Sequence, residues 1–427
     1  MEYSRQELFP CVYLTALRTD KFKTGCLSAS LLTQLRRDTA ADNGILPYVL
    51  RRGTTALPDR RRVSARLEEL YGASIEPVVR KLGEIQSVGF VAGFVEDARL
   101  PGETHVLRDV IGQMADLWLA PNTRGGLLLP DYVEGERDKL LERLRSLQNN
   151  RRAWAMRRLV ENMCACEDYA VSAQGDEDTA ESIHYVKLTR HYRSLLAGSP
   201  MEFYYCGGEK ADTVADMLHE AFLLLPRGEI DPDMGTDIRM NALEAEPRTF
   251  VEEMDVTQGN LAMGFRLGSC MEDPDSALLR VFNAVYGGSV TSKLFANVRE
   301  RLSLCYYASS ALDELKGVML VGSGIDFDKY EPARSEILSQ LDEIRAGNIT
   351  EEEFAGAKKD VASSLLAVPD SPAALESFYL RQTVQGLDAA PEDIAALTDF
   401  VTAEQVAELA RGVELDAVYF LKGEEPA

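Results

Sequence analysis

The sequence predicts an α+β fold made of two similar halves, each with a mainly antiparallel sheet packed against several helices. Segments with the alternating apolar pattern of strands are interspersed with segments that have the periodicity of amphipathic helices. The same order of strands and helices also occurs twice along the 427 residues, which indicates duplication of one domain. A chain of this length is long enough for more than one domain.

The first half begins with strand-like segments around CVYLTALRT, followed by the predicted helices AADNGILPYVLRR and RRRVSARLEELYGA. The alternating stretch SIEPVVRKLGEIQSVGFVAGFV then predicts strands. Helical periodicity follows in ETHVLRDVIGQMADLWL, YVEGERDKLLERLRSLQNN, AWAMRRLVENMCA and HYVKLTRHYRSLL. The strand PMEFYYCGG and the helix ADTVADMLHEAFLLL complete the half.

The second half repeats this order, from the strand NLAMGFRLG through the helices DPDSALLRVFNAVYGG and SVTSKLFANVRERLSLCY to the strands in YYASSALDELKGVMLVGSGI. Four further segments predict helices: YEPARSEILSQLDEIRAG, TEEEFAGAKKDVASSLLAV, SPAALESFYLRQTVQG and TAEQVAELARG. The strand DAVYFLKG closes the half. Thr350 and Glu353 have capping-box spacing, and Gly-Asn after Ala346 favours a helix end.

Residues 226–248 are rich in Pro, Gly and acidic side chains and lack sustained periodicity, so they predict an exposed linker. The predicted domains are therefore 1–225 and 249–427.

The charge and composition exclude several classes of protein. A formal net charge of −23 and a pI near 4.7 argue against a nucleic-acid surface, which needs concentrated Lys and Arg. No apolar run reaches the roughly 18 residues of a membrane helix. The opening stretch MEYSRQELFP lacks a basic segment followed by an apolar one, so we expect a cytoplasmic protein. The seven cysteines include no C-x-x-C pair, which favours buried free thiols over a disulfide framework.

The segment GGSVTSKLFANVRERLSLCYYASS, residues 287–310, together with the repeated order of elements, resembles the pitrilysin/insulinase family of zinc peptidases. This family includes the mitochondrial processing peptidase and core proteins of respiratory complex III. Its pattern is a Gly pair, a Ser and a helix that ends in Arg-Glu-x-x-Gly-x-x-Tyr or a close variant. Arg299 and Tyr306 match the first and last positions. The resemblance implies two homologous domains that enclose a chamber.

Active family members carry H-x-x-E-H on a helix of the first domain, where positions i and i+4 share one face and can bind one Zn²⁺. The Glu acts as general base on the zinc-bound water. Counted back from the Gly-Thr that follows ADNGILPYVLRR, the five positions fall on residues 44–48. The ligand positions are then Gly44 and Tyr48, and the base position is Pro47. None of these side chains suits zinc hydrolysis, so we expect no metal and no other cofactor in this chain.

The position of the family's third ligand, a carboxylate, falls on Glu134, with Glu136 two residues on. These residues are either a remnant acidic site or an ordinary solvated helix face, and we favour the second. The family's substrate-contacting Asn-Ala pair is replaced here by Glu76 and Pro77. His184 and His191, among four histidines, could share a helix face, but no Glu lies between them as a base.

In family enzymes made of paired halves, the Arg and Tyr of the second-type domain face the zinc site across the chamber and help to hold the substrate carbonyl and the oxyanion. By resemblance, Arg299 and Tyr306 imply substrate binding and transition-state support in trans. Without the resemblance, Arg299 would be interpreted as a surface residue that pairs with Glu300, and Tyr306 as a packed strand residue.

The leading hypothesis is a non-catalytic, pseudo-peptidase subunit that pairs with an active, zinc-bearing sister subunit in peptide or protein processing. It resembles most the metal-free member of paired bacterial proteins linked to elongation factor P modification. One alternative is a purely structural or assembly protein of the same fold. Another is an active metalloendopeptidase whose ligands are not recognised in the sequence.

Overall fold

The computed structural model describes residues 1–230, 234–268 and 273–424. Cys270 and part of the predicted linker lie outside these ranges. The strands are β1 Glu2–Phe9, β2 Val12–Arg18, β3 Thr24–Gln34, β4 Ser74–Leu82, β5 Ile85–Val95, β6 Thr123–Arg124, β7 Leu127–Leu128, β8 Met201–Gly207, β9 Arg248–Met254, β10 Gly259–Arg266, β11 Tyr307–Asp313, β12 Val318–Ile325 and β13 Glu414–Gly423.

The helices are α1 Arg37–Leu50, α2 Arg60–Glu69, α3 Val106–Leu119, α4 Pro130–Ser146, α5 Arg151–Met163, α6 Glu177–Glu181, α7 Tyr185–Gly198, α8 Ala211–Ala221, α9 Asp273–Asn283, α10 Tyr330–Arg345, α11 Glu351–Ala367, α12 Pro372–Gln385, α13 Pro391–Leu397 and α14 Ala403–Arg411. Two π-helical segments, Ala284–Gly288 and Leu294–Arg301, follow α9. The predicted α+β class is confirmed.

Two sheets share one plan. The first has the strand order β1-β2-β8-β3-β5-β4, and the second has the order β9-β13-β10-β12-β11. In each sheet one pair of neighbouring strands is parallel, β2 with β8 and β9 with β13, and the other pairs are antiparallel. From β2 to β4 and from β9 to β11, order and direction therefore match strand for strand. The repeat predicted from the sequence is visible in this topology.

The chain forms two compact units, and each is discontinuous in sequence. Unit 1 comprises residues 1–145, 171–235 and 370–386, whereas unit 2 comprises 146–170, 236–369 and 387–427. The division at 235 lies inside the predicted linker 226–248. The units differ from the contiguous halves because α5 belongs to unit 2 and α12 to unit 1. We describe each unit by itself.

Close packing explains the position of α5 in unit 2. Its buried side chains Ala155, Leu159 and Met163 join a core with residues of β10, β12 and β13. A Cβ atom on Gly264 of β10 would lie 2.3 Å from Met163 Sδ, so the absence of a side chain at Gly264 leaves the space that the Met163 side chain fills. In unit 1, α12 is held by Glu376, which accepts hydrogen bonds from Arg80 of β4.

A buried ion network crosses unit 2. Arg266 is fully buried; its Nη2 lies 2.6 Å from Glu167 and its Nε 2.8 Å from Asp416. Lys316, also fully buried, lies 2.8 Å from Glu167, and Arg248 lies 2.6 Å from Asp416. Burial of these charges is tolerated only because each has partners of opposite sign. Glu167 thereby fixes the segment that follows α5.

Local sequence signals account for several helix ends. Thr350 and Glu353 form the predicted capping box at the start of α11. At the end of α10, Gly347 has φ +81°, and Asn348 N donates to Glu343 O at 2.8 Å. Both predicted boundaries are confirmed. Strand β9 was not predicted, because it is a half-exposed edge strand with a polar, acidic composition.

Candidate functional site

Helix α1, which carries the positions of the degenerate zinc motif, is buried over most of its surface. A Cβ atom on Gly44 would lie 3.2 Å from Gln174 Cα and 3.6 Å from Ala173 O. The backbone of the segment 173–174 therefore covers the position from which the first ligand would project. There is no room for an imidazole at residue 44 without displacement of this segment.

A buried hydrogen-bond network fixes the covering segment. Gln86 Nε2 donates to Ala173 O at 2.6 Å, and Asn43 Nδ2 donates to Gln86 Oε1 at 2.7 Å. His191 Nε2 lies 2.6 Å from Asn43 Oδ1, and burial lowers the pKa of this imidazole. Because the members of the network satisfy one another, the network specifies one arrangement of α1, β5 and the segment before α6.

The remaining motif positions also lack zinc-binding chemistry. Pro47 lies inside α1 and has no side-chain donor or acceptor. Tyr48 is half-buried, and the guanidinium carbon of Arg143 in α4 lies 4.8 Å from the centroid of its ring. The guanidinium of Arg143 already occupies the face of this ring. Its positive charge would repel a zinc ion beside the Tyr48 phenol. The residues present at 44, 47 and 48 do not fit a zinc ion.

The carboxylates at and near the predicted third-ligand position do not form a metal site with this helix. Glu134 is exposed on α4. Glu136 is buried, and it lies 2.9 Å from Arg52 and 2.7 Å from Lys139. Its carboxylate is therefore engaged by two cations and ties α4 to the end of α1. Among residues 1–230, 234–268 and 273–424, no three His, Cys, Asp or Glu side chains form a group that could hold a metal ion.

The two histidines considered as a pair have separate roles. His184 is the N-cap of α7, and its Nδ1 accepts from Lys187 N at 3.4 Å, whereas His191 belongs to the network of Asn43. Glu76 and Pro77 lie on β4, an edge strand of the first sheet. Proline is compatible with this place because an edge strand leaves one row of its N–H groups unpaired.

Arg299 and Tyr306 lie on the surface of unit 2. The Arg299 side chain is 41% exposed; its guanidinium lies 4.7 Å from the ring centroid of Phe295 and 3.6 Å from Glu300. Tyr306 is 60% exposed, and its hydroxyl donates to Asp326 Oδ1 at 2.9 Å. This hydrogen bond raises the pKa of the Tyr306 phenol. Both side chains are therefore accessible, although the one donor of Tyr306 is used by Asp326.

The turn between these residues positions them at the same end of the π-helical segment. Ser303 has φ +49°, at the position where the family pattern has Gly. Leu304 N donates to Val298 O at 3.0 Å, and Tyr306 N donates to Gly324 O at 2.8 Å. The reversed chain then enters β11. Burial raises the pKa of the neighbouring Cys305 thiol, while a hydrogen bond with Ser323 and the charge of Arg299 act on it in the opposite direction.

Sequence reasoning missed four residues that pack against the motif positions of α1 or hydrogen-bond beside them: Gln86, Ala173, Gln174 and Arg143. Each lies at least 38 residues from the motif positions of α1 in the chain, and the nearest of them, Gln86, is on strand β5. No local periodicity identifies such partners. Asp326, the acceptor for Tyr306, was missed for the same reason.

Comparisons with known proteins agree with this geometry. A family model described as "Peptidase M16 inactive domain" matches residues 182–361. The chain is 30% identical over 413 residues to the "Probable inactive metalloprotease YmfF" of Bacillus subtilis, with 96% of each chain covered.

Solved structures show the same fold over the full length. A conserved protein from Enterococcus faecalis superposes with a TM-score of 0.90 and 25% identity, and the match covers 100% of this chain and 99% of that one. A peptidase M16 inactive domain from Pseudomonas fluorescens gives a TM-score of 0.82 with 16% identity and the same coverage. The chain therefore belongs to the M16 (pitrilysin/insulinase) peptidase family, as an inactive, peptidase-like member related to zinc proteases.

In the part of the chain that the structure describes, no helix is both long enough and apolar enough to span a bilayer.

Proposed function

We propose that this protein is the non-catalytic subunit of a heteromeric peptidase and supplies substrate-binding residues to a zinc-bearing sister subunit. The observation that carries the proposal is a contrast between two sites. Gly44 and Pro47 of α1 are buried and Tyr48 is half-buried against Arg143, whereas Arg299 and Tyr306 remain exposed. Exposed donors are retained at the place where the family uses them, while the metal site is absent.

The chemistry of the two side chains suits this role. A guanidinium and a phenol can donate hydrogen bonds to a substrate carbonyl and to the oxyanion that develops from it. The ion pair of Arg299 with Glu300 is long and exposed, so it competes weakly with a substrate. A phenol has one proton to donate, so a substrate would have to replace Asp326 as the acceptor for Tyr306.

The test begins with purification of the chain from its native cell and a search of any bound protein for H-x-x-E-H. The pair is then reconstituted with Arg299→Ala or Tyr306→Phe. Loss of one oxyanion donor should lower turnover by about a hundredfold without loss of complex formation. Arg301→Ala is the matched control for the arginine, since Arg301 lies on the same segment and is 63% exposed. Tyr71→Phe, at a half-exposed tyrosine of unit 1, is the control for the phenol.

A structural or assembly role is the second candidate. It is favoured by the contacts that Arg299 and Tyr306 already make with Phe295 and Asp326. Unchanged turnover of both variants in the reconstituted pair would support this candidate and overturn the first.

Activity of the chain alone is the third candidate, and the donor set at residues 44–48 opposes it. Stoichiometric zinc in the isolated protein, with peptide cleavage that a chelator abolishes, would establish this candidate instead. We expect this protein, and therefore its partner and substrate, to be cytoplasmic. A link to elongation factor P modification stays a prediction.

A further inference from the structure

Unit 1 has a second candidate site, a groove that the zinc-motif helix does not contribute to. We call it the α3–α7 groove; it has a volume of about 1010 Å³, within the range of small-molecule sites. The C-terminal ends of α3 and α8, the middle of α7 and the hairpin β6–β7 form its walls. Its apolar lining includes Ala115, Leu119, Leu128, Leu196, Leu223 and Leu224.

The rim of the groove leaves apolar surface uncovered. Leu224 is 85% exposed and Leu223 is 63% exposed, directly after α8. Two neighbouring leucines are exposed to water beside an apolar depression. Removal of this apolar surface from water by a bound ligand would be favourable.

One acidic side chain, Asp116, lines this apolar groove. It lies in the last turn of α3 and is half-buried. In the described part of the chain, no hydrogen bond or ion pair reaches its carboxylate. Burial raises its pKa, and no neighbouring charge contributes to the shift. A desolvated carboxylate without a counter-charge attracts a cation.

The other charged groups of the groove are Glu220, which is paired with a cation, and Arg193, which is bound to a backbone carbonyl. Glu220 lies 2.9 Å from Arg108, and Arg193 Nη2 donates to Gly126 O at 2.6 Å. Tyr192 donates its hydroxyl to Trp118 O. Asp116 is thus the acidic group of the groove that no cation among the described residues pairs with. Arg193 keeps its positive charge, because a carbonyl oxygen does not neutralise it, but this charge does not contribute to the pKa shift of Asp116. The groove therefore favours a cation at Asp116 rather than at Arg193.

We propose that the α3–α7 groove binds an aliphatic chain that carries one primary ammonium group, with the chain against the leucines and the ammonium against Asp116. The side chain of a lysine that follows an apolar residue and a free alkylamine share this chemistry. The proposal is independent of the partner subunit and of Arg299 and Tyr306.

The experiment compares n-hexylamine with n-hexanol, which has the same chain without the charge, by ¹H–¹⁵N NMR titration of the full chain. We expect the amine to bind about tenfold more tightly than the alcohol, as a partly desolvated ion pair would allow. Shifts should be confined to residues of the groove. Asp116→Asn should abolish the preference, and Asp109→Asn, on the same helix but paired with Arg66, should preserve it.

Leu224→Ala tests the apolar part of the site. Because Leu224 is 85% exposed, its truncation should not destabilise the fold. It should weaken amine and alcohol by the same factor, whereas Leu366→Ala, at an exposed leucine of unit 2, should leave both unchanged. A titration with Nα-acetyl-Leu-Lys-amide beside hexylamine shows which kind of molecule supplies the ammonium group. Tighter binding of the peptide indicates a polypeptide ligand. Tighter binding of hexylamine indicates a small molecule. Equal affinity for amine and alcohol, binding that Asp116→Asn does not change, or no binding of either amine would overturn the proposal.

Discussion

Replacement of Gly44 tests directly whether packing closes the position that the sequence assigns to the first zinc ligand. Glycine in the middle of a helix is less stable than alanine by about 1 kcal/mol, so Gly44→Ala should be favourable in an open environment. Here the added Cβ would lie 3.2 Å from Gln174 Cα, closer than an ordinary van der Waals contact. A neighbour must shift by a few tenths of an ångström.

The neighbour cannot shift freely. The hydrogen bond from Gln86 holds Ala173 O, and a Cβ on Gly175 would lie 2.6 Å from Ala41 Cβ, so this stretch is packed on both sides of Gln174. Overpacking of this kind costs about 1–3 kcal/mol. After subtraction of the helical gain, Gly44→Ala should lose about 1 kcal/mol, and Gly44→His, with its larger side chain, about 3 kcal/mol or more.

Gly112 provides the matched control, because it also lies inside a helix, α3, but a Cβ there would meet nothing within 4 Å. Gly112→Ala should gain about 1 kcal/mol. Urea unfolding followed by far-UV circular dichroism measures all three variants, and a shift of the midpoint at constant slope reports stability. If Gly44→Ala stabilises the protein as much as Gly112→Ala does, the covering segment does not close the site and the reasoning fails.

Three further predictions follow from the same contacts. Glu167→Gln should destabilise the protein by about 3 kcal/mol, because it leaves Arg266 and Lys316 buried without their shared anion. Burial raises the pKa of Glu167, but the hydrogen bonds from these two cations outweigh burial and lower it. The stability that Glu167 contributes should therefore be lost as pH falls through its depressed pKa. A loss on mutation that does not depend on pH would contradict this. Asp116→Asn should raise the melting temperature at pH 7, because burial raises the pKa of this carboxyl and so makes its ionised form unfavourable in the folded state. The gain should vanish below about pH 4, where the carboxyl is protonated in both states. A gain that persists in acid would exclude a titration effect. Ser303→Gly should raise the free energy of unfolding, measured in urea, by about 0.5–1 kcal/mol, because φ at Ser303 is +49°. A lower free energy of unfolding would show that the serine side chain stabilises the protein by more than this backbone strain costs.

Local signals in the sequence predicted the fold class and most element positions. The alternation in SIEPVVRKLGEIQSVGFVAGFV corresponds to β4 and β5, and the capping box at Thr350 marks the start of α11. The helix predicted through residue 306 ends at Arg301, because the turn at Ser303 reverses the chain. Periodicity describes which face of an element is apolar, but not where a turn of positive φ interrupts it.

Long-range pairing could not be predicted in the same way. The amphipathic pattern of α5 shows that one face must be buried, yet it does not show which sheet buries it, so the exchange of α5 and α12 between the halves was not foreseen. At the candidate site, the residue types at 44, 47 and 48 excluded zinc chemistry from the sequence alone. The segment that covers Gly44 lies about 130 residues away, and only the structure identifies it.

The physical demands on the two sites differ in a way that bears on function. A helix that binds a catalytic metal must keep one face open to substrate and water, whereas α1 buries ten of its residues, including Asp42 and Asn43. Its polar side chains are used within the fold, as the bonds of Asn43 to Gln86 and His191 show. Packing and internal hydrogen bonds therefore account for the buried residues of this helix. The same cannot be said of Arg299, whose guanidinium contributes one long ion pair and one ring contact on the surface. Exposed pairs of this length add little to stability, so a requirement for Arg299 would have to come from a molecule that binds to it.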